Sequence, residues 1–312
     1  MALVWITGAR GFIGRHLAAY LSRHGDQVAG IGHGAWVESD ALAWGISQWI
    51  NGDIHSGNLQ SLRKRLGTPD IVFHLAGGSS VGAAIASPYE DFARTVTTTA
   101  ELLDWIRLES PVTRLIAVSS AAVYGAGHQN GIAEDQARVP FSPYGYHKLM
   151  MEQLCRSYAA TYGTRVVVAR LFSVYGSFLQ KQLLWDLCTK LTSGTATVEL
   201  GGTGEELRDW TDVRDVVRAL SLLNELASDA APIVNVGTGR ATSVREVASM
   251  VTDAWPTTAS TIFSGKSRSG DPFSLVADGS RLRVLGFEWA VPVETGIRDY
   301  VEWYLRQARS RA

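Results

Sequence analysis

An apolar run rich in β-branched residues, LVWIT, meets the glycine-spaced turn TGARGFIG over residues 7–14 and passes directly into the helical pattern IGRHLAAYLSRHG. No other feature restricts the fold as tightly. A strand, a tight turn and a helix in immediate succession open a βαβ unit. Gly8 allows the turn, Gly11 lets a pyrophosphate approach the backbone at the helix N-terminus, and Gly14 lets helix and strand pack closely. Ile13, Leu17, Tyr20, Leu21 and His24 follow helical spacing, and Gly25 supplies the stop. Further runs recur downstream: QVAGI near 27, IVFHLA near 71, RLIAVSS near 114, RVVVARLF near 165 and PIVNVG near 232. Helical stretches separate them. This alternation predicts an α/β fold, a doubly wound, Rossmann-type parallel sheet that binds ligands at its strand C-termini.

After about residue 175 the pattern loosens into loops rich in Gly, Ser, Thr and Asp, with shorter helices. The expected organisation is a dinucleotide-binding domain over 1–175, with interleaved segments near 210–238, and a smaller substrate-binding lobe from the rest of 176–312. Composition agrees with a small-molecule enzyme. At 46% hydrophobic and 19% charged residues the chain can bury a full core, and a net charge of −1 without like-charge runs argues against nucleic acid or an anionic membrane as partner. No apolar run approaches the roughly 20 residues that span a bilayer. The N-terminus enters a strand without a basic leader, which reads as cytoplasmic. Cys155 and Cys188 are too few for a disulfide framework, and the seven histidines show no H-x-x-x-H spacing, so no metal is expected.

Coenzyme choice is read at the end of the second strand, where a carboxylate would accept hydrogen bonds from the adenosine ribose of NAD. VAGIGHG offers none: Gly32 and His33 stand there, and Arg10 projects from the glycine turn towards the same corner. A cation there suits the 2′-phosphate of NADP, the first choice; the alternative is NAD, with Arg10 stacked on adenine. Asp53, in NGDIH, is placed either to meet the adenine amine or as an ordinary turn residue.

The stretch SPYGYHK sets Tyr144 and Lys148 four residues apart just behind Pro143. If the proline opens a helix, the phenol and the ammonium lie one turn apart on one face. A cation beside a phenol favours the phenolate, making a group that ordinarily ionises near pH ~10 usable as acid or base. Ser120, at the end of the run VSSAAVYG, can hydrogen-bond the oxygen that the tyrosine protonates. Alone, each feature also fits a bland role: a solvated lysine on an amphipathic helix, and a serine in a turn.

Taken together, TGARGFIG, GDI, HLAGGSSV, VSSAAVYG, Y-G-Y-H-K, ARLFSVYG, GGTGEELRDWTDVRDVV and SRSGDPFSLVAD, in that order, make the chain resemble the extended short-chain dehydrogenase/reductase family. The branch is that of NAD(P)-dependent sugar-nucleotide epimerases, dehydratases and reductases. The resemblance implies Ser120, Tyr144 and Lys148 as the catalytic triad. It implies coenzyme contacts at Gly8, Arg10, Gly11, Phe12, Ile13, Gly14, His33, Asp53, Ile54, Leu75, Ala76, Gly77, Ser119, Tyr144, Lys148, Phe172 and Ser173. On the substrate side it implies Arg208 and Arg268 as clamps on a nucleotide diphosphate, with Ser79, Ser80, Ser120, Tyr144, Ser173, Lys181 and Gln182 around the sugar nucleotide. Lys181 and Gln182 are read as part of a loop, and Trp185 as core. A homodimer through helices around 90–108 and 144–162 is implied as well. Thr97, Gly77 and Ser173 depart from the commoner Asn, Ala and Asn of the family.

Dehydratases of this branch carry an Asp-Glu pair directly after the catalytic hydroxyl, and GDP-fucose synthase a cysteine; here Ala121 and Ala122 follow Ser120. What remains is hydride and proton transfer at one carbon, C4 of the hexose. The first reading is NADPH-dependent reduction of a 4-keto-6-deoxyhexose nucleotide, favoured by the missing acid at Gly32. The alternative is a 4-epimerase of the UDP-galactose 4-epimerase type that keeps NAD+ bound throughout, and a third is a non-catalytic NADP sensor, argued against by the retained triad.

Overall fold

The computed structural model describes residues 1–266 and 272–309. Contacts divide the chain into two compact units: residues 1–125, 134–171 and 217–236 form the first, and 126–133, 172–216 and 237–312 the second.

The first unit contains strands β1 (Leu3–Thr7), β2 (Gln27–Gly32), β3 (Ile46–Asn51), β4 (Ile71–His74), β5 (Arg114–Ser120) and β6 (Arg165–Leu171). A later strand, β11 (Ile233–Val236), joins them after β7 (Ser173–Tyr175), β8 (Thr197–Leu200), β9 (Leu207–Arg208) and β10 (Trp210–Asp212) have formed in the second unit. The sheet is parallel throughout, in the order β11-β6-β5-β4-β1-β2-β3. The strands are apolar almost without interruption because both faces are covered: in β6 every residue after Arg165 is buried. The order reverses direction between β1 and β4, and that switch point opens a crevice at the strand C-termini.

Helices α1 (Phe12–Arg23), α2 (Glu38–Ala43), α3 (Ser56–Leu66), α4 (Val81–Ala86), α5 (Pro88–Phe92), α6 (Thr98–Glu109) and α7 (Pro143–Tyr162) belong to this unit. Trp5 of β1 packs on Trp105 of α6 with ring centroids 5.2 Å apart, inside a cluster with Leu59, Leu62, Leu102 and Leu115. Helix α7 follows its sequence signals: the Ser142 hydroxyl accepts from Gly145 N–H at 3.2 Å, Pro143 is the first helical residue, and Gly163 closes the end at φ 70°. Its buried stripe runs through Lys148, Met151, Glu152, Cys155 and Ala159.

The second unit holds α8 (Gln182–Thr192), the start of α9 (Val213–Leu223), α10 (Val244–Ala254), α11 (Ser280–Val284) and α12 (Val293–Arg309). It also holds β12 (Thr242–Ser243), β13 (Ser260–Phe263) and β14 (Ser274–Leu275). Small sheets serve in place of one large one: β10-β7, β12-β9-β14 and β13-β8. A reciprocal capping box between Ser243 and Glu246 starts α10. No helix among the described residues is long and apolar enough to cross a membrane.

Candidate active site

At the C-terminal end of β1 the chain turns through Gly8, at φ 72°, into α1. A side chain at Gly14 would bring its Cβ to 2.4 Å from the Gly8 carbonyl oxygen and 2.7 Å from Ala9 Cα, so α1 packs on the turn only with glycine there. Gly11 caps α1 without a side-chain acceptor, and no acidic residue stands in the first turn. The N–H groups of Phe12, Ile13 and Gly14 are thus free of a competing carboxylate. This cradle of bare backbone at a helix N-terminus fits the pyrophosphate of a dinucleotide.

Around the end of β2, Trp49 of β3 lies under Gly30 and Gly32: a Cβ at Gly32 would meet the indole at 3.3 Å, and Gly32 has φ 158°. The Arg10 guanidinium lies against Gly34, where a Cβ would come within 2.5 Å of Nη1. His33 Nε2 pairs with Asp53 Oδ1 at 3.1 Å, both side chains largely exposed, while Ile54 beside it is buried. Arg10, His33 and Asp53 therefore share one corner of the crevice.

The loop after β4 carries Leu75, Ala76, Gly77 and Gly78, all half-buried, then exposed Ser79 and half-buried Ser80. Ser80 caps α4, its hydroxyl accepting from Ala83 N–H at 3.2 Å. Thr97 is exposed, whereas the buried Thr95 accepts from Gly78 N–H at 2.8 Å. Both threonines belong to the π-helical turn Ala93–Thr97.

Ser120 ends β5, and its hydroxyl accepts from Ala122 N–H at 3.2 Å in the short 3₁₀ turn Ala121–Val123. Gly145 lets α7 approach this turn; a Cβ there would meet the Ala122 carbonyl oxygen at 2.6 Å. The approach brings the Tyr144 phenol into hydrogen bonding with Ser120. One turn on, the buried Lys148 donates from Nζ to the Val118 carbonyl at 2.9 Å, and Nζ would be 3.3 Å from a Cβ on Gly77. Ser120, Tyr144 and Lys148 thus converge at the end of β5, facing the β4 loop.

Electrostatics differ from the simple picture of a lysine tuning a tyrosine. Burial and the Asp91 charge hold the Tyr144 phenol above its ordinary range, against the Ser120 hydrogen bond. The Lys148 ammonium is turned to the Val118 carbonyl. Burial lowers Lys148 to about 8 even though Asp91 and Glu152 support its charge. His74, fully buried between Thr7 Oγ1 at 2.7 Å and Thr99 Oγ1 at 2.9 Å, is held down to about 3 by burial and then by the Lys148 charge, so it stays neutral.

Beneath β5 lies a buried network that sequence reasoning did not find. Ser119 Oγ donates to Glu152 Oε1 at 2.6 Å, so a coenzyme contact by Ser119 falls to its backbone. Arg170 Nε and Nη2 reach the two Glu152 oxygens at 2.9 and 2.7 Å, and its Nη1 donates to the Tyr124 hydroxyl at 2.7 Å. Asp91 and His147 form a second buried pair at 2.6 Å. Of these residues, only the buried stripe of α7 gives a signal in the sequence, through the spacing of Lys148 and Glu152. Cys155 and Cys188 are buried thiols, each pushed up to about 12, chiefly by burial. Among the described residues no cluster of His, Cys, Asp and Glu is arranged to hold a metal ion.

In the second unit Phe172 and Ser173 are half-buried, and Ser173 N–H donates to the Asp209 carbonyl at 2.9 Å. Arg208 lies in β9, half-buried, with Nη1 donating to the Leu207 carbonyl at 2.8 Å. Its neighbour Asp209 is buried and accepts from Thr238, Gly239 and Ala277 backbone N–H groups at 2.8, 2.8 and 3.1 Å. Lys181 caps α8 and Gln182 opens it, which corrects their reading as a loop; burial lowers the Lys181 ammonium. Trp185 is half-buried against Trp303 and Tyr304. Arg268 lies outside the described residues.

The model of the family described as "NAD dependent epimerase/dehydratase family" matches residues 4–237. A UDP-glucose 4-epimerase of Azospirillum brasilense is 30% identical over 298 residues, covering 90% of this chain and 85% of that protein. Among solved structures, MoeE5 in complex with UDP-glucuronic acid and NAD is similar at a TM-score of 0.86 and 33% identity, covering 97% of this chain and 99% of that one. A UDP-glucuronic acid 4-epimerase of Bacillus cereus, with UDP-glucuronic acid and NAD, gives 0.86 and 25%, covering 98% and 99%. With a seven-stranded parallel sheet, a glycine cradle at its switch point and these likenesses along most of its length, the chain belongs to the NAD dependent epimerase/dehydratase family, as an NAD(P)-dependent enzyme of the extended short-chain dehydrogenase/reductase type.

Proposed function

We propose that the protein is a UDP-hexose 4-epimerase that keeps NAD bound through the catalytic cycle. The observation that carries this reading is the convergence of Ser120, Tyr144 and Lys148 at the end of β5, with Ala121 and Ala122 in the two positions that follow Ser120. Such a set handles one proton at one carbon. The similarity to 4-epimerases of UDP-sugars supports the same reaction, and moves the preference away from the reductase favoured by the sequence.

When bound, NAD supplies the acceptor and donor of hydride. In its ionised form Tyr144 takes the proton of the C4 hydroxyl as that carbon is oxidised, and as the phenol it returns the proton when the other face is reduced. Ser120 shares the same oxygen by hydrogen bonding, and the Lys148 ammonium holds positive charge beside the site. Gly8, Gly11 and Gly14 receive the pyrophosphate; Leu75, Ala76 and Gly77, with the Ser119 backbone, line the nicotinamide side; Phe172 and Ser173 are assigned beside it. Arg208 and Arg268 bind the substrate diphosphate, and Ser79, Ser80, Lys181 and Gln182 contribute to the sugar-nucleotide pocket.

One observation favours a second reading, NADPH-dependent reduction of a 4-keto sugar nucleotide: Arg10 lies against Gly34, and Gly32 and His33, not an acidic residue, end β2 and follow it in the chain. Mass spectrometry of the coenzyme released on denaturation separates the two. Stoichiometric NAD, together with interconversion of UDP-glucose or UDP-glucuronic acid and its C4 epimer without added coenzyme, is the expected result. NADPH consumption by a 4-keto sugar nucleotide, with no epimer formed, overturns it. Tyr144→Phe is expected to lower kcat by at least about 100-fold, the scale of a lost general acid–base group; unchanged turnover would refute the assignment of Tyr144.

A further inference from the structure

The loop that follows β4 is pressed from two sides. On one side is Lys148 Nζ, close enough that a Cβ on Gly77 would lie 3.3 Å from it. On the other is the Asp91 carboxylate, whose Oδ1 would be 1.7 Å from a Cβ on Gly78. Thr95 Oγ1 completes the packing, accepting from Gly78 N–H at 2.8 Å. Asp91 is only 6% exposed, and its Oδ2 is held at 2.6 Å by the Nδ1–H of His147, the residue before Lys148 on α7. The Phe92 ring of α5 packs on the His147 imidazole of α7 in a near-perpendicular arrangement, with ring centroids 5.6 Å apart.

We propose that Asp91, oriented by His147, is a positioning residue for the Tyr144 and Lys148 pair: it clamps the Gly77–Gly78 loop onto α7 and keeps the buried ammonium charged.

Glu152, one turn along α7, also favours the ammonium, but it is bound by both oxygens to Arg170 of β6, so the guanidinium offsets part of its field. His74 of β4 and Cys155 of α7 are neutral, held down to about 3 and pushed up to about 12. Tyr144 is a neutral phenol, raised above its ordinary range. Asp91 is the carboxylate whose charge reaches both Lys148 and Tyr144, and for both groups it favours the protonated form.

Asp91→Asn preserves shape, and the imidazole can turn an Nδ1 lone pair towards the new amide N–H, so the fold is retained. The chain has five lysines, so their 13Cε NMR signals are resolvable, and Lys148→Met identifies the one in question. In Asp91→Asn, Lys148 is expected to titrate about one unit below its wild-type value, read on the purified protein without substrate. The alkaline limb of kcat against pH is expected to move down by the same amount, with KM little changed. His147→Ala is expected to give a smaller shift in the same direction, and His147→Asn, which returns an N–H donor to the place of Nδ1, to restore the wild-type titration. A Lys148 titration and a pH profile that stay in place in Asp91→Asn overturn the proposal, whether or not activity falls. Only the kcat readout rests on the proposed reaction. If the protein proves not to be an epimerase, the lysine titration still decides the role of Asp91.

Discussion

Replacing Arg170 by methionine tests whether the buried network under β5 is a load on the fold or a support of it. Both side chains of the Arg170–Glu152 pair are 0% exposed. Arg170 makes two hydrogen bonds to Glu152, at 2.9 and 2.7 Å, one to the Tyr124 hydroxyl at 2.7 Å and one to the Glu134 carbonyl at 3.1 Å. Its guanidinium also lies 4.7 Å over the Tyr124 ring. With Arg170→Met, the Glu152 carboxylate keeps only the Ser119 hydroxyl, at 2.6 Å, among these partners. Removing one partner of a buried ion pair costs about 3–5 kcal/mol, because the charge left behind has lost both water and its counter-ion. At about 2–4 °C per kcal/mol for a unit of this size, the melting point falls by roughly 10 °C. Adding Glu152→Gln removes the stranded charge while its amide oxygen still accepts from Ser119, so the double variant should recover about 2 kcal/mol or more. Urea unfolding followed by circular dichroism measures all three proteins. An Arg170→Met loss under about 1 kcal/mol, or a double variant no more stable than the single one, would refute the reasoning.

Three further outcomes are expected. Gly14→Ala forces Cβ against the Gly8 carbonyl at 2.4 Å and should displace α1 from the turn, weakening coenzyme binding by tenfold or more, about 1.4 kcal/mol, in calorimetric titration. His74 is held down to about 3 in the folded protein, so as pH falls below the ordinary value near 6.5 the unfolded chain takes up a proton that the folded one refuses. Stability present above that pH is therefore lost on the way down, by up to about 5 kcal/mol, and urea midpoints for His74→Asn should fall less steeply from pH ~6.5 towards 3. Finally, Phe92, Tyr146 and Met150 are exposed apolar residues within the segments around 90–108 and 144–162, through which we propose that a homodimer forms. Light scattering should give twice the chain mass, and Tyr146→Glu with Met150→Glu should give the monomer mass.

What the sequence determined by itself was everything governed by near neighbours. The glycine turn, the alternation of apolar runs with helical spacing, and the Ser142–Pro143 start of α7 are local signals, and the parallel sheet, α1 and α7 follow them. The four-residue spacing of Tyr144 and Lys148 was likewise enough to set both on one helix face. Only the tertiary structure decided the environment of those groups. Asp91 meets His147 across 56 positions and Tyr124 meets Asn235 across 111, partners that no local pattern announces. Thr95, in the π-helical turn before α6, meets the β4 loop, and the Ser119 hydroxyl turns away to Glu152. The direction of the Tyr144 shift belongs to the same class. Spacing supplied a nearby cation, but burial and the charge of Asp91, brought in by the packing of α5 on α7, raise the phenol. Periodicity reports which face of an element is buried, while the free energy of a charge depends on what the rest of the fold places around it.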